Sequence, residues 1–340
     1  MEMIGKKIII LTVFSGFFCV VSLAQQVPMY SQYVMNGFLI NPSLAGRDGY
    51  TSVNLTVREQ WVGIPGAPQT YAASFQTRLL KNSYISKSQS PRKKRINPTK
   101  GGNIGLGGYV FNDINGIVRR TGMLGAYAYH IEVGKRGSTP SFISLGLAAT
   151  LYQYGIDING DLMNSLRDKN DQLLLQYDSQ VFIPDFNFGT TFTTEKFYVG
   201  FAMTSLSRGA LLFSNSADNN RSELGHYFLT GGMRIYFPGH RDWELQPSIL
   251  LKSSDMVLKS LQMDLTARVY YKNDYWAGLS YRTNDAIIAM VGLKYELCYF
   301  AYAFDFTLTD FRNKTYGTHE ITLAYKFGNS PRRYRWINAY

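Results

Sequence analysis

Polar and apolar residues alternate with a period of two over much of this chain, most plainly toward its end. From Phe300, one set reads Phe300, Tyr302, Phe304, Phe306 and Leu308, and the interleaved set reads Ala301, Ala303, Asp305, Thr307 and Thr309. The stretch 261–271 repeats this with Leu261, Met263, Leu265, Ala267, Val269 and Tyr271 set against Gln262, Asp264, Thr266, Arg268 and Tyr270. In 320–327, Ile321, Leu323, Tyr325 and Phe327 alternate with Glu320, Thr322, Ala324 and Lys326. A period of two is that of a β-strand, whose successive side chains point to opposite faces. The apolar set is large and often aromatic in nearly every segment, which suits a face turned to lipid while the polar set faces a lumen. A one-residue slip would carry Asp264 and Arg268 into hydrocarbon. Arg at the bilayer midplane costs about 2–4 kcal/mol, so the register is strongly fixed.

The pattern predicts about fourteen strands, near 50–60, 69–79, 102–112, 117–131, 139–156, 184–194, 196–204, 223–237, 242–252, 260–272, 274–282, 285–295, 297–308 and 318–327. An all-β, transmembrane antiparallel β-barrel follows, and an even strand number returns both ends of the barrel to the periplasm. The connections on that side include the short turns 194–196, 238–241, 272–274 and 295–296. The long connections 157–183 and 205–222 then face outward, the usual asymmetry of such barrels. Segment 80–101 breaks the rule, being long and expected in the periplasm. A soluble β-sandwich is the competing reading of the alternation, disfavoured by the size of the outward side chains.

The first residues carry Lys6 and Lys7, then an apolar run from Ile8 to about Ala24 with small residues at its end, which reads as a secretory signal peptide over 1–24. The mature chain is expected to begin at Gln25. Cleavage removes Cys19 and leaves Cys298, so no intramolecular disulfide is expected. Phe18 before Cys19 does not fit a lipoprotein signal. Beyond the signal, no apolar run approaches the ~20 residues of a membrane helix, so a membrane-embedded mature chain would cross as a closed barrel. The expected layout is a signal peptide at 1–24, a segment at 25–49 that folds into the periplasmic mouth of the lumen and partly plugs it, a barrel at 50–327 and a basic periplasmic tail at 328–340. Asn41-Pro42, Gly46 and Gly49 argue for turns within the second of these.

Candidate chemistry is sparse. His130, His226, His240 and His319 are scattered, and His226 and His319, both near the outer rim by parity, fall on strands far apart. No metal site, cofactor or acid–base pair is indicated, and an outer-membrane hydrolase lacks a Ser/His/acid cluster. Gly102-Asn103-Ile104-Gly105-Leu106-Gly107-Gly108 superficially resembles a phosphate loop, but it lacks the Lys-Ser/Thr ending and lies in a strand, where close packing explains glycine better. Arg58, Asp264, Arg268, Lys294, Asp305 and Glu320 point inward, and their mixed signs favour a cross-linked lumen over a selective pore. Aromatic residues make up 15% of the 340 and the net charge is +11; the former suits interfacial girdles. Much of the positive excess lies in Lys81, Lys87, Arg92, Lys93, Lys94, Arg95 and Lys100 and in Arg332, Arg333 and Arg335 of the tail. No nucleic-acid motif accompanies it.

Pro28-Met29-Tyr30-Ser31-Gln32-Tyr33, followed by Asn41-Pro42-Ser43-Leu44-Ala45-Gly46, resembles the opening of the PorP/SprF family. Arg58-Glu59-Gln60-Trp61-Val62-Gly63-Ile64-Pro65-Gly66-Ala67-Pro68 looks like that family's Arg-x-Gln-Trp and Gly-Ala-Pro element. The likeness continues through Phe197–Gly200, His226–Thr230, Pro247–Lys252, Trp276–Arg282 and Gly317–Ile321, nearly the whole mature chain. It departs around 87–100 and beyond Phe327.

The resemblance implies a non-enzymatic outer-membrane component of type IX secretion and gliding in Bacteroidetes. Such a component either binds a secreted protein's C-terminal domain at the cell surface or supports the translocon with periplasmic components. A transport barrel for a hydrophobic or small solute is the alternative. Expected contacts are outer-membrane lipid and such protein partners. Candidate partner-binding residues are Trp61 and Ile64 in an ordered outer turn, and Arg92, Lys93, Lys94, Arg95, Arg332, Arg333 and Arg335 on a basic periplasmic face that would meet an acidic partner or anionic cell-wall material.

Overall fold

A computed structural model describes residues 30–79, 103–133, 141–156, 181–206, 225–254 and 260–327. Each alternating segment forms a strand: β1 Thr51–Glu59, β2 Gln69–Leu79, β3 Ile104–Asn115, β4 Val118–Val133, β5 Ser141–Ile156, β6 Val181–Thr193 and β7 Phe197–Thr204. There follow β8 His226–Met233, β9 Ile235–Phe237, β10 His240–Ser253, β11 Gln262–Tyr271, β12 Tyr275–Arg282, β13 Ala286–Tyr295, β14 Cys298–Thr307 and β15 Thr318–Phe327. β8 and β9 are one stave interrupted at Arg234; both pair with β10, and the register shifts only at the β9 end, between His240 and Glu244. The sheet therefore has fourteen staves.

Every stave pairs antiparallel with its neighbour in sequence, β10 pairs with β11, and β1 pairs with β15 from Thr51↔Phe327 to Glu59↔His319. The ring is thereby closed and has no free edge, the condition for a sheet in hydrocarbon. Tight turns serve both ends. Gly116, at φ +62°, turns β3 into β4 between Asn115 and Val118, and Lys272 and Asn273, at φ +53° and +59°, turn β11 into β12.

Burial runs opposite to that of a water-soluble sheet. Leu147 and Leu279 are 62% and 64% exposed, whereas Glu320, Arg282 and Arg268 are at most 2% exposed. A soluble protein would expel those charges and cover those leucines, so the wall is apolar outside and polar inside, as lipid requires. The predicted parities hold in β11, β14 and β15, where Asp264, Arg268, Asp305 and Glu320 are buried and Leu265, Phe306 and Leu323 are exposed. Among the described residues no helix is long and apolar enough to cross a membrane.

Candidate functional site

The residues preceding β1 lie against the inward faces of the strands. Two short 3-10 turns, η1 Gly37–Leu39 and η2 Pro42–Leu44, shape this segment, the second opened by the Asn41 side chain accepting from the Ser43 backbone N–H. Starting near β14 and β15, the chain meets Ser248 of β10 through Tyr33, Ser74 of β2 through Asn36, and Thr191 of β6 through Asn41 and Ser43. It then returns past β4 and reaches β1. Its apolar side chains complete interior clusters: Phe38 packs with Leu124, Ala126 and Ala148, and Tyr33 with Ala202, Phe228 and Leu250. The sequence reading put this segment at the mouth where β1 begins. Instead Ser31 sits level with Arg58, beside the opposite rim, and the segment extends back from there to Thr51.

At that far end a charged network holds the segment. The Glu320 carboxylate accepts the backbone N–H groups of Ser31 at 2.7 Å and Gln32 at 2.8 Å, and Arg58 donates to it at 3.1 Å. Arg58 also donates to Ser31 Oγ and to Asp305, and Ser31 Oγ donates to Asp305 at 2.7 Å. Asp305 lies 3.6 Å from Arg282, which makes a two-pronged contact with Asp264. Signs thus alternate along Asp264, Arg282, Asp305, Arg58 and Glu320, crossing from β11 to β15. Buried carboxylates and guanidinium groups are tolerable only when paired and hydrogen-bonded, as here. Four of these five charges, Arg58, Asp264, Asp305 and Glu320, were legible as inward-facing from strand parity. Arg282 was not singled out, although the alternation Trp276, Gly278, Ser280, Arg282 places it inward by the same rule.

The middle of the segment is fitted by glycines. A Cβ at Gly105 would run into the Ala45 carbonyl, one at Gly107 into the Phe38 ring, one at Gly146 into the Ser43 backbone and one at Gly189 into the Asn41 side chain. The glycine run in β3 therefore admits close approach of a second backbone, as expected of glycine inside a strand. His130, with one ring nitrogen 2.8 Å from Ser144 Oγ and the other 3.0 Å from the Ala45 carbonyl, is a further anchor that sequence reading did not identify. At the near end Lys326 donates to Asp48 at 3.0 Å. Burial tends to raise the Asp48 carboxyl's pKa, but Lys326 and Arg47 outweigh it and hold the group below its ordinary range.

Two features mark the opposite rim. The turn 60–68 is clamped to the β14–β15 connection: Val62 donates to the Gly317 carbonyl, Tyr316 donates to the Val62 carbonyl, and Trp61 donates to Thr318 Oγ1. Trp61 adopts φ +52°, a strained conformation for a bulky residue, and stacks on Phe311 with ring centroids 5.1 Å apart. Trp61 and Ile64 are both half-buried, while Tyr316 beside them is 78% exposed. The second feature is a cavity of about 80 Å³, lined in part by Tyr30, Leu39, Ile40, Tyr109, Phe111 and Arg120. The Arg120 guanidinium stacks over Tyr152 at 4.2 Å, with Phe111 and Tyr154 also within reach.

Arg92, Lys93, Lys94, Arg95, Arg332, Arg333 and Arg335 lie outside the described residues, as do residues 1–24, expected to be a signal peptide, and 328–340, expected to be a basic tail. His226 is buried at the opposite rim, and His319 faces outward there against Tyr302 and Phe304. Among the described residues no group of three or more His, Cys, Asp or Glu side chains can hold a metal.

A family model described as the type IX secretion system membrane protein PorP/SprF matches residues 22–325. No curated protein matches. Solved structures of similar shape include the outer membrane protein Omp33 of Acinetobacter baumannii, 7% identical, covering 82% of this chain and 100% of that one with a TM-score of 0.42. The KdgM porin is 10% identical, covering 82% and 99%, with a TM-score of 0.34. Likeness at that level carries no argument about what this chain does.

Proposed function

Taking as premise that the chain belongs to the PorP/SprF family of type IX secretion system membrane proteins, we propose that it works by protein–protein contact at the rims of a plugged outer-membrane barrel. In this reading the barrel receives a secreted protein's C-terminal domain at the cell surface or supports the translocon, and it performs no chemistry of its own. The rim where β1 begins faces the periplasm. The opposite rim, with the clamped turn 60–68 and Tyr316, faces outward and offers Trp61 and Ile64 to cargo. The basic segments around 92–95 and 332–335 meet acidic periplasmic partners or cell-wall material.

The observation that carries this reading is the crossing of the lumen by residues 31–49. The wall makes hydrogen bonds to these residues at both ends and in the middle, which supports an interior committed to holding a segment of the chain itself. A transport barrel would need that space for its solute. Purified protein in planar bilayers should therefore show no open-channel current, and pull-down with mass spectrometry should recover a secreted protein or periplasmic type IX components. Steady conductance with no co-purifying partner would favour the transport reading instead.

A further inference from the structure

The wall of the barrel is not equally strong all round. β4 and β5 pair over sixteen residues, from Val118↔Ile156 to Val133↔Ser141, and β5 and β6 over thirteen. β6 and β7 pair over six, from Phe188↔Met203 to Thr193↔Tyr198. The stretch shared by β8 and β10 is equally short, but there β9 carries the pairing on. Beyond Met203 the ladder of β6 and β7 stops. Ser205 turns aside at φ +58° and its N–H donates to the Asn187 side chain, while Leu206 donates to the Phe186 carbonyl. Local opening starts where there are few bonds to lose.

Packing behind this seam is thin as well. The inward positions beside it are Gly189 and Thr191 on β6 and Gly200 and Ala202 on β7. The two glycines leave backbone bare toward the lumen, and the buried side chain of Asn41, from the interior segment, fills the niche. A Cβ at Gly189 would strike Asn41 Oδ1, and one at Gly200 would crowd Thr230 and lie 3.2 Å from Asn41 Nδ2.

The Asn41 amide has one orientation there. Its Oδ1 accepts from the Ser43 backbone N–H at 3.0 Å and from Ser43 Oγ at 2.7 Å, which turns the nitrogen to the wall. Nδ2 donates to the Thr190 carbonyl of β6 at 3.3 Å, to the Phe201 carbonyl of β7 at 3.3 Å and to Thr191 Oγ1 at 3.2 Å. Thr190 and Phe201 are register partners, so one side chain holds the backbones of both strands at a single rung. Pro42 behind it keeps the Asn41 backbone extended, at φ −129° and ψ 110°, and so fixes the direction from which the amide enters.

We propose that Asn41 stitches the β6–β7 seam from within, so that seating of the interior segment and closure of the wall at its shortest ladder are one coupled event. Withdrawal of the segment unstitches β6 from β7, and the barrel opens sideways there ahead of any other seam. The inference is independent of which rim faces the cell surface and of the role in secretion.

Hydrogen exchange read by mass spectrometry on the full-length protein in detergent micelles tests it. Asn41→Asp keeps the acceptor for Ser43 and the shape of the side chain while losing both N–H donors. It is expected to speed exchange of the β6 and β7 amides between 188 and 203 by about tenfold, the effect of losing one or two hydrogen bonds, and to leave the β4–β5 amides unchanged. A cross-link supplies the reverse arm. In a Cys298→Ser background, Thr190→Cys with Phe201→Cys sets two thiols opposite each other on the stitched rung, within disulfide reach, and leaves both carbonyls in place. Oxidation of this pair is expected to return Asn41→Asp to wild-type exchange, and failure to do so overturns the stitch. If Asn41→Asp alone does not assemble, recovery of assembled barrel in the cross-linked form supports the proposal and its absence overturns it. Unchanged exchange at β6–β7, or a rise spread evenly over all ladders, overturns it too. So does an equal rise at β6–β7 from Asn36→Ala, whose side chain meets Ser74 and Gln76 on β2 instead.

Discussion

Replacing Glu320 with Ala removes at one stroke the acceptor for two backbone N–H groups, those of Ser31 and Gln32, and one arm of Arg58. Asp305 still holds Arg58 at 3.0 Å, so the guanidinium is not left alone. The two N–H groups are buried, and leaving such donors unpaired costs about 1–3 kcal/mol each. Loss of the charge-assisted bond from Arg58 adds a comparable amount, and because the three losses overlap, about 3–5 kcal/mol in total is expected, as when a buried ion pair loses one partner. At about 1.4 kcal/mol per decade, the ratio of seated to unseated segment should fall by roughly two to three and a half orders of magnitude. Glu320→Gln should lose nearly as much, because an amide accepts at one oxygen only and turns its own N–H groups toward donors. Guanidinium unfolding in detergent, followed by tryptophan fluorescence, reads the stability, and single-channel recording reads the lumen. An Ala variant with an unchanged midpoint and a silent lumen would refute the view that this carboxylate latches the segment.

Other outcomes follow from the same geometry. Gly146→Ala and Gly189→Ala should each lower the unfolding midpoint, whereas Gly125→Ala, with open space beside it, should not; equal effects at all three would mean that strand propensity is being measured rather than fit. Because the pKa of Asp48 is lower in the folded chain, its contribution is complete above the unfolded value of about 4 and is lost as pH falls through the folded one; Asp48→Asn should flatten the acid limb of a stability–pH curve and leave a smaller midpoint at neutral pH. Trp61→Ala removes a ring stack worth about 0.5–1.5 kcal/mol beyond its buried area, so a modest fall in heat stability is expected, and normal assembly with lost cargo capture in pull-downs would make Trp61 a binding residue. Changing Arg92, Lys93, Lys94 and Arg95 to Ser should leave the barrel assembled and reduce salt-sensitive co-purification of periplasmic proteins; recovery unchanged across a salt series would reduce the patch to a solvated loop.

The wall of the barrel was readable because each strand states its own rule: Phe300 to Leu308, or Leu261 to Tyr271, displays which side meets lipid without reference to any other segment. Strand ends fell within about three residues of the alternation, as β3 shows by running to Asn115 where 112 was expected. The interior was far less readable. Residues 31–49 have no period, only turns, and their positions are set by partners as distant as Glu320, 289 residues from Ser31. Short motifs such as Ser31-Gln32-Tyr33, Arg58 and Gly317-Thr318-His319-Glu320 are unremarkable apart and become one site only when β1 pairs with β15. The glycines of β3 signalled a close approach, but not that Phe38 and Ala45 were what approached. His130 gave no signal at all, because a lone inward histidine on a strand looks the same whether or not a backbone carbonyl lies across from it.

The seam between β1 and β15 bears on how such a molecule can be assembled. The other staves pair with their sequence neighbours, contacts that cost little loop-closure entropy, whereas this one joins positions such as Thr51 and Phe327 across almost the entire barrel sequence. Non-local pairings of that kind are slow to form and tend to come late. Arg58 and Glu320 lie opposite each other in that seam, and both bind Ser31. With Ser31 and Gln32 in place as this last ladder zips, the seam closes on a fully matched Glu320; closing without them would leave the carboxylate to Arg58 and strip it of two hydrogen-bond donors.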